Sequence, residues 1–68
     1  MMTTDEIRDL SIEEIQAELN DAREELMKYR FQKATGELTD HNQLKKTRRT
    51  IARMLTVLNE RIREEGEA

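Results

Sequence analysis

The side chains most able to do chemistry in this sequence are charged. From Gln43 to Arg53 it reads "QLKKTRRTIAR", five basic residues and no acidic one, in a chain whose formal net charge is −3. Lys45, Arg49 and Arg53 recur at i, i+4 and i+8, so at about 100° per residue they stack along one helix face, with Lys46 alongside. Closely spaced cations of one sign neutralise a phosphate backbone and release its counterions. A merely solvated helix face more often alternates sign at i, i+4 to gain ion pairs. This stretch does not alternate, and the reading it favours is a phosphate-tracking surface. Lys28, Arg30 and Lys33 place more positive charge upstream, and a chain folded back between the two groups would gather them at one end and along one face.

Other chemistry finds little to work with. The sequence has no cysteine and a single histidine, His41, so neither a thiolate nucleophile nor a paired-histidine metal site is available. It has no glycine-rich phosphate loop and no Ser/His/Asp set on a rigid pocket. Tyr29 and Phe31 are the only aromatics, too few for a base-stacking platform. The expectation is a non-enzyme without cofactor, metal or small-molecule substrate. No apolar run reaches the length of a membrane span, and "MMTTDEIRDL" does not open as a signal segment. That points away from a membrane, to a cytosolic or organelle-interior protein under reducing conditions.

Two helices position these charges. Thr3 with Glu6 reads as a capped opening turn, and Ser11 with Glu14 as a capping box. Behind it Ile12, Ile15, Leu19, Ala22, Leu26 and Tyr29 alternate three and four apart, predicting a helix over about 12–34. Gly36 can take the left-handed conformation that closes a helix, giving a loop over about 35–39. Asp40 with Gln43, or Thr39 one residue earlier, starts a second helix over about 40–63. Its predicted seam is Leu44, Arg48, Ile51, Leu55, Leu58 and Ile62, with Gly66 and an acidic tail marking its end. Two long helices on a short loop fold back so that their seams meet. The fold class is all-α, an antiparallel two-helix hairpin with a short capped N-terminal turn, forming one domain over 1–68.

A chain of 68 residues, 40 % of them charged, buries little surface of its own, and without a disulfide or metal its remaining source of stability is a partner. Charge is also divided along it. Residues 1–27 hold nine acidic and two basic side chains, net −7, and residues 28–63 hold ten basic and three acidic, net +7. The last five residues add −3. Glu13, Glu14, Glu18, Asp21, Glu24 and Glu25 read as the wet outer face of the first helix. Met27, Phe31 and Ala34 form a small second apolar patch, expected to pack against Leu38 and the start of the second helix, the other reading being an exposed anchor for a protein neighbour. Arg48, in the predicted seam, either snorkels outward or points into a partner's groove.

The order of these features resembles a known family, that of large ribosomal subunit protein twenty-nine. The resemblance is carried by Arg30-Phe31-Gln32, then Ala34-Thr35-Gly36-Glu37-Leu38, then Arg48-Arg49-Thr50-Ile51-Ala52-Arg53, with "EIRDLSIEEI" similar to the family's opening. It covers about residues 5–62. It implies a structural constituent of the cytoplasmic ribosome, a helical hairpin on large-subunit (23S-type) ribosomal RNA near the polypeptide exit. It also implies a neighbour, tunnel-exit ribosomal protein twenty-three, in a region where nascent-chain factors dock. Carried over by position, the RNA contacts are Arg30, Gln32 and Lys33 on the first helix and Lys45, Lys46, Arg48, Arg49 and Arg53 on the second. Lys28 joins them from the charge pattern. Family members are commonly basic overall, whereas this chain is acidic at both ends. The competing reading is a self-associating coiled-coil adaptor without nucleic acid. A helix-turn-helix DNA binder fits less well, because its helices are short and usually need a third.

Overall fold

Local hydrogen bonding at the chain's turns sets the architecture. The computed structural model describes residues 3–67, in three helices: α1 (Thr4–Arg8), α2 (Ile12–Ala34) and α3 (His41–Glu67). Thr3 Oγ1 accepts from the backbone N–H of Glu6 at 3.2 Å and caps α1. At α2 the capping box closes both ways. Ser11 Oγ accepts from the Glu14 N–H at 3.1 Å, and Glu14 Oε1 accepts from the Ser11 N–H at 3.3 Å.

The end of α2 explains Gly36. The Glu37 N–H reaches back to the Gln32 carbonyl at 2.8 Å and the Gly36 N–H to the Lys33 carbonyl at 3.2 Å, the paired bonds of a Schellman turn. That geometry requires a left-handed residue, and Gly36 supplies it with φ +78°. Asp40 Oδ1 then accepts from the Asn42 N–H at 2.9 Å, so Asp40 rather than Thr39 caps α3. Gly66 does not stop this helix, which runs to Glu67 and so extends beyond the expected end near residue 63. A glycine lowers helix propensity but imposes no turn unless its φ is positive.

α2 and α3 lie antiparallel along a rod measuring 49 × 17 × 14 Å. Its least dimension is about one helix diameter, so no third layer exists to enclose a cleft. The core is concentrated at the end of the rod away from the α2–α3 loop. Ile7, Ile15 and Val57 are wholly enclosed, and Leu19, Met54 and Leu58 complete the cluster. Leu10, Ile12, Ile51 and Leu55 flank it. α1 is only five residues long, yet its Ile7 fills this cluster.

The expected α3 seam is rotated from the enclosed one and shares only Leu58 with it. Its enclosed side chains are Thr47, Met54, Val57 and Leu58, while Arg48 is exposed and Ile62 is 50 % exposed. The enclosed stripe runs through positions 47, 54, 57 and 58, so Leu58 of the expected seam belongs to it, while Leu44, Ile51 and Leu55 lie half-buried along its edge. Thr47 hides it from an apolar count. Its hydroxyl donates to the Gln43 carbonyl at 2.9 Å, so a polar side chain sits in the interface without an unmet hydrogen bond. At position 61 the Arg61 guanidinium donates to the carbonyls of Arg8, at 3.1 Å, and Leu10, at 2.7 Å. These are carbonyls near the end of α1, which α3 thereby clasps. An Arg8–Glu60 pair at 3.5 Å lies beside the clasp.

Two substitutions separate the real stripe from the apolar pattern. Met54→Ala removes an enclosed α3 side chain that the expected seam leaves out and is expected to cost about 2–5 kcal/mol, enough to unfold much of so small a chain. Ile62→Ala is expected to change stability by less than about 0.5 kcal/mol. Urea titration followed by circular dichroism distinguishes them.

Candidate nucleic-acid interface

Because the buried stripe of α3 faces α2, the positions opposite it must face outward. Lys45, Lys46, Arg48, Arg49 and Arg53 are all exposed. At about 100° per residue, Lys45, Lys46, Arg49 and Arg53 fall within an arc of about 100°, centred roughly 130° from the buried stripe. Arg48 lies about 60° beyond Lys45, on the side of the half-buried Leu44 and Ile51. Its exposure takes it out of the core and leaves its guanidinium on the surface. Lys45, Lys46, Arg48 and Arg49 form no ion pair among the described residues. These four side chains therefore present unneutralised charge to solvent.

The α2 cations are distributed differently. Lys28, Arg30 and Lys33 are exposed and Gln32 is half-buried. Lys28 and Arg30 point about 200° apart, so the three do not share one face. The structure brings together the α3 group and leaves the α2 group spread around the end of its helix. The two groups do meet at the loop end of the rod, but not along a single surface.

One border of the basic arc is sharply defined. A shallow groove runs between α2 and α3, with Glu18, Asp21 and Glu25 on one wall and Gln43, Lys46 and Thr50 on the other. Glu13, Glu14, Glu18, Asp21, Glu24 and Glu25 are all exposed, as a wet face should be. A polyanion seated on α3 is thus attracted from Arg49 up to Lys46 and repelled beyond the groove.

The apolar patch on α2 is corrected. Met27 is 73 % and Phe31 68 % exposed, so they do not pack against Leu38 and α3. The two helices touch through the positions of the buried stripe, and positions 27 and 31 fall on another side of α2. They form an uncovered apolar pair. Sequence reasoning missed Thr47 and Arg61 as well, the first because it is polar and the second because its partners are backbone carbonyls 51 and 53 residues away.

Nearby, the Tyr29 hydroxyl donates to Glu25 Oε1 at 2.8 Å. That hydrogen bond, with lesser contributions from burial and the carboxylate charge, raises the tyrosine pKa above its usual value. Among the described residues no cluster of His, Cys, Asp and Glu could hold a metal ion, and no helix is long and apolar enough to cross a membrane.

Comparison with known proteins gives a consistent answer. The profile of the family described as "Ribosomal L29 protein" matches residues 5–61. The large ribosomal subunit protein uL29 of Rubrobacter xylanophilus is 49 % identical over 59 residues, 87 % of this chain and 88 % of its own length. The protein of the same name from Staphylococcus saprophyticus is 45 % identical over 67 residues, 98 % of this chain and 97 % of its own length. That of Streptomyces avermitilis is 50 % identical over 56 residues, 82 % of this chain and 76 % of its own length.

The Tyr29–Glu25 bond makes a pH prediction. An acid whose folded-state pKa is raised contributes stability that is whole below the unfolded tyrosine pKa and is lost as pH climbs through the folded one. Ultraviolet titration of the phenol is expected to show a midpoint above that of a free tyrosine, and Glu25→Gln is expected to lower it.

Proposed function

This chain belongs to the ribosomal L29 protein family, and we propose that the basic arc of α3 is the face by which it is seated on the RNA of the large ribosomal subunit. It is a structural, non-enzymatic constituent of that subunit and supports translation as part of the cytoplasmic ribosome. What supports the reading of the face is one observation above the others. The exposed cations of one sign, Lys45, Lys46, Arg49 and Arg53, lie together on the outward side of a helix whose other side is fixed in the core. Arg48 widens the arc, and Lys28, Arg30, Gln32 and Lys33 add separate contacts around the loop end of α2. Duplex RNA is recognised chiefly through its shape and backbone, which suits a rigid rod with a basic side and no base-reading motif.

The proposal has a second part, concerning proteins. At the polypeptide exit tunnel, where the seat would lie, ribosomal protein twenty-three is the proposed neighbour. The uncovered Met27–Phe31 pair gives a neighbouring protein an apolar anchor, and the acidic outer face of α2 is left for basic protein surfaces. Nascent-chain factors docking nearby would meet the same exposed faces.

The experiment is charge reversal on the arc. A chain carrying Lys45→Glu, Arg49→Glu and Arg53→Glu is expected to lose affinity for large subunits by at least about 100-fold at moderate salt. Its helical circular dichroism should persist, since all three side chains are exposed. Stoichiometric recovery of this variant with large subunits through a sucrose cushion would refute the proposed seat. A discrete dimer in solution that never sediments with ribosomes would favour the adaptor reading instead.

A further inference from the structure

The proposed seat occupies the part of the rod that has almost no core. Between Ala22 and Met54 the only buried side chain is Thr47, and every residue assigned to the seat falls inside that interval. The enclosed cluster of Ile7, Ile15, Leu19, Met54, Val57 and Leu58 belongs wholly to the other end. Towards the loop, Leu26, Tyr29, Leu38 and Leu44 are only half-buried. Segments with few buried apolar contacts open locally at a fraction of the global unfolding free energy.

Electrostatics weakens the same part again. α2 is charged in accord with its helix dipole, with Glu13 and Glu14 in its first turn and Lys33 in its last. α3 has the Asp40 carboxylate at its N-cap but is otherwise charged against its dipole. It has no acidic residue in its first turn and no basic residue in its last, and its cations cluster in its N-terminal half while Glu64 and Glu65 lie near its C-terminus. Lys45 and Arg49 are i, i+4 neighbours of like sign, as are Arg49 and Arg53, and Lys46 stands at i, i+3 from Arg49.

We propose that the loop-side half of the hairpin is a separately opening unit, held partly open by its own positive charge, and that bound polyanion completes its order. The inference rests on the RNA seat described above. Phosphate supplies negative charge that offsets the like-sign Lys45–Arg49 spacing and adds to the single carboxylate, Asp40, at the N-terminus of α3. The core end is already formed and holds the two helices in register while this happens. The free chain consequently trades stability for its seat, and Arg49 is where the trade is most direct.

Amide hydrogen exchange on the full chain tests this, free at low salt and with protein-free large-subunit ribosomal RNA, binding being scored separately by co-sedimentation. In the free chain, amides over 44–50 are expected to exchange at least about tenfold faster than those over 15–19 and 54–61. With the RNA they are expected to slow by at least about tenfold, while the core end changes little. Arg49→Glu is expected to slow exchange over 44–50 in the free chain by about threefold, although it weakens RNA binding. Uniform protection in the free chain, or no gain from Arg49→Glu, would overturn the proposal. Sedimentation with RNA but unchanged exchange would overturn the coupling and leave the seat standing. Absence of sedimentation would overturn the seat, and the coupling with it.

Discussion

Everything in this molecule depends on one small enclosure, the packing of Ile7 against Ile15, Leu19, Met54, Val57 and Leu58. It draws on all three helices, so it fixes the antiparallel pairing of α2 with α3 and the position of α1 together. Removing apolar surface from water is the main favourable term available to so short a chain, and here it is concentrated at the end away from the α2–α3 loop. The Arg61 guanidinium, bonded to the Arg8 and Leu10 carbonyls, holds α1 over that enclosure. The rotation of α3 about its own axis follows from this packing. Once Met54 and Val57 face inward, Lys45, Arg49 and Arg53 must face outward.

Function then follows from what the core does not reach. The chain's net charge of −3 conceals an acidic first helix and a basic stretch in the second. The fold sets them as adjacent faces across a shallow groove, with Glu18 and Asp21 on one wall and Lys46 on the other. Exposed pairs contribute little stability in any case. Keeping the charges on separate faces leaves a polyanion one face to approach and one to avoid, which orients the rod as well as attracting it.

Much of this was legible in the sequence, for identifiable reasons. Caps and turns are local, so Thr3, Ser11 with Glu14, Gly36 and Asp40 announced the helix boundaries, and each makes the expected contact or conformation. The family resemblance was also legible, because its motifs are short and ordered. Register was not. Counting apolar residues selected Leu44, Ile51, Leu55, Leu58 and Ile62, of which only Leu58 is enclosed, and packing in α3 also admits Thr47, whose hydroxyl is satisfied by its own helix. Choosing between stripes that share Leu58 needs the partner helix. Phe31 was expected inside for the same reason, although it lies on a side of α2 that α3 does not touch. Arg61 carried no sequence signal, since backbone carbonyls leave no trace in residue types.

The central claim is that α3, and not the outer face of α2, lies against ribosomal RNA. The chain has no cysteine, so a single introduced thiol carries a tethered iron chelate to a unique position. Ala52 on α3 and Ala17 on α2 are both exposed and small. Large subunits reconstituted with the Ala52→Cys or Ala17→Cys chain, each bearing the chelate, would be probed for hydroxyl-radical cleavage of their RNA. Strong, localised cleavage from position 52 with little from position 17 is the result expected. Cleavage from position 17 with none from position 52 would contradict the account.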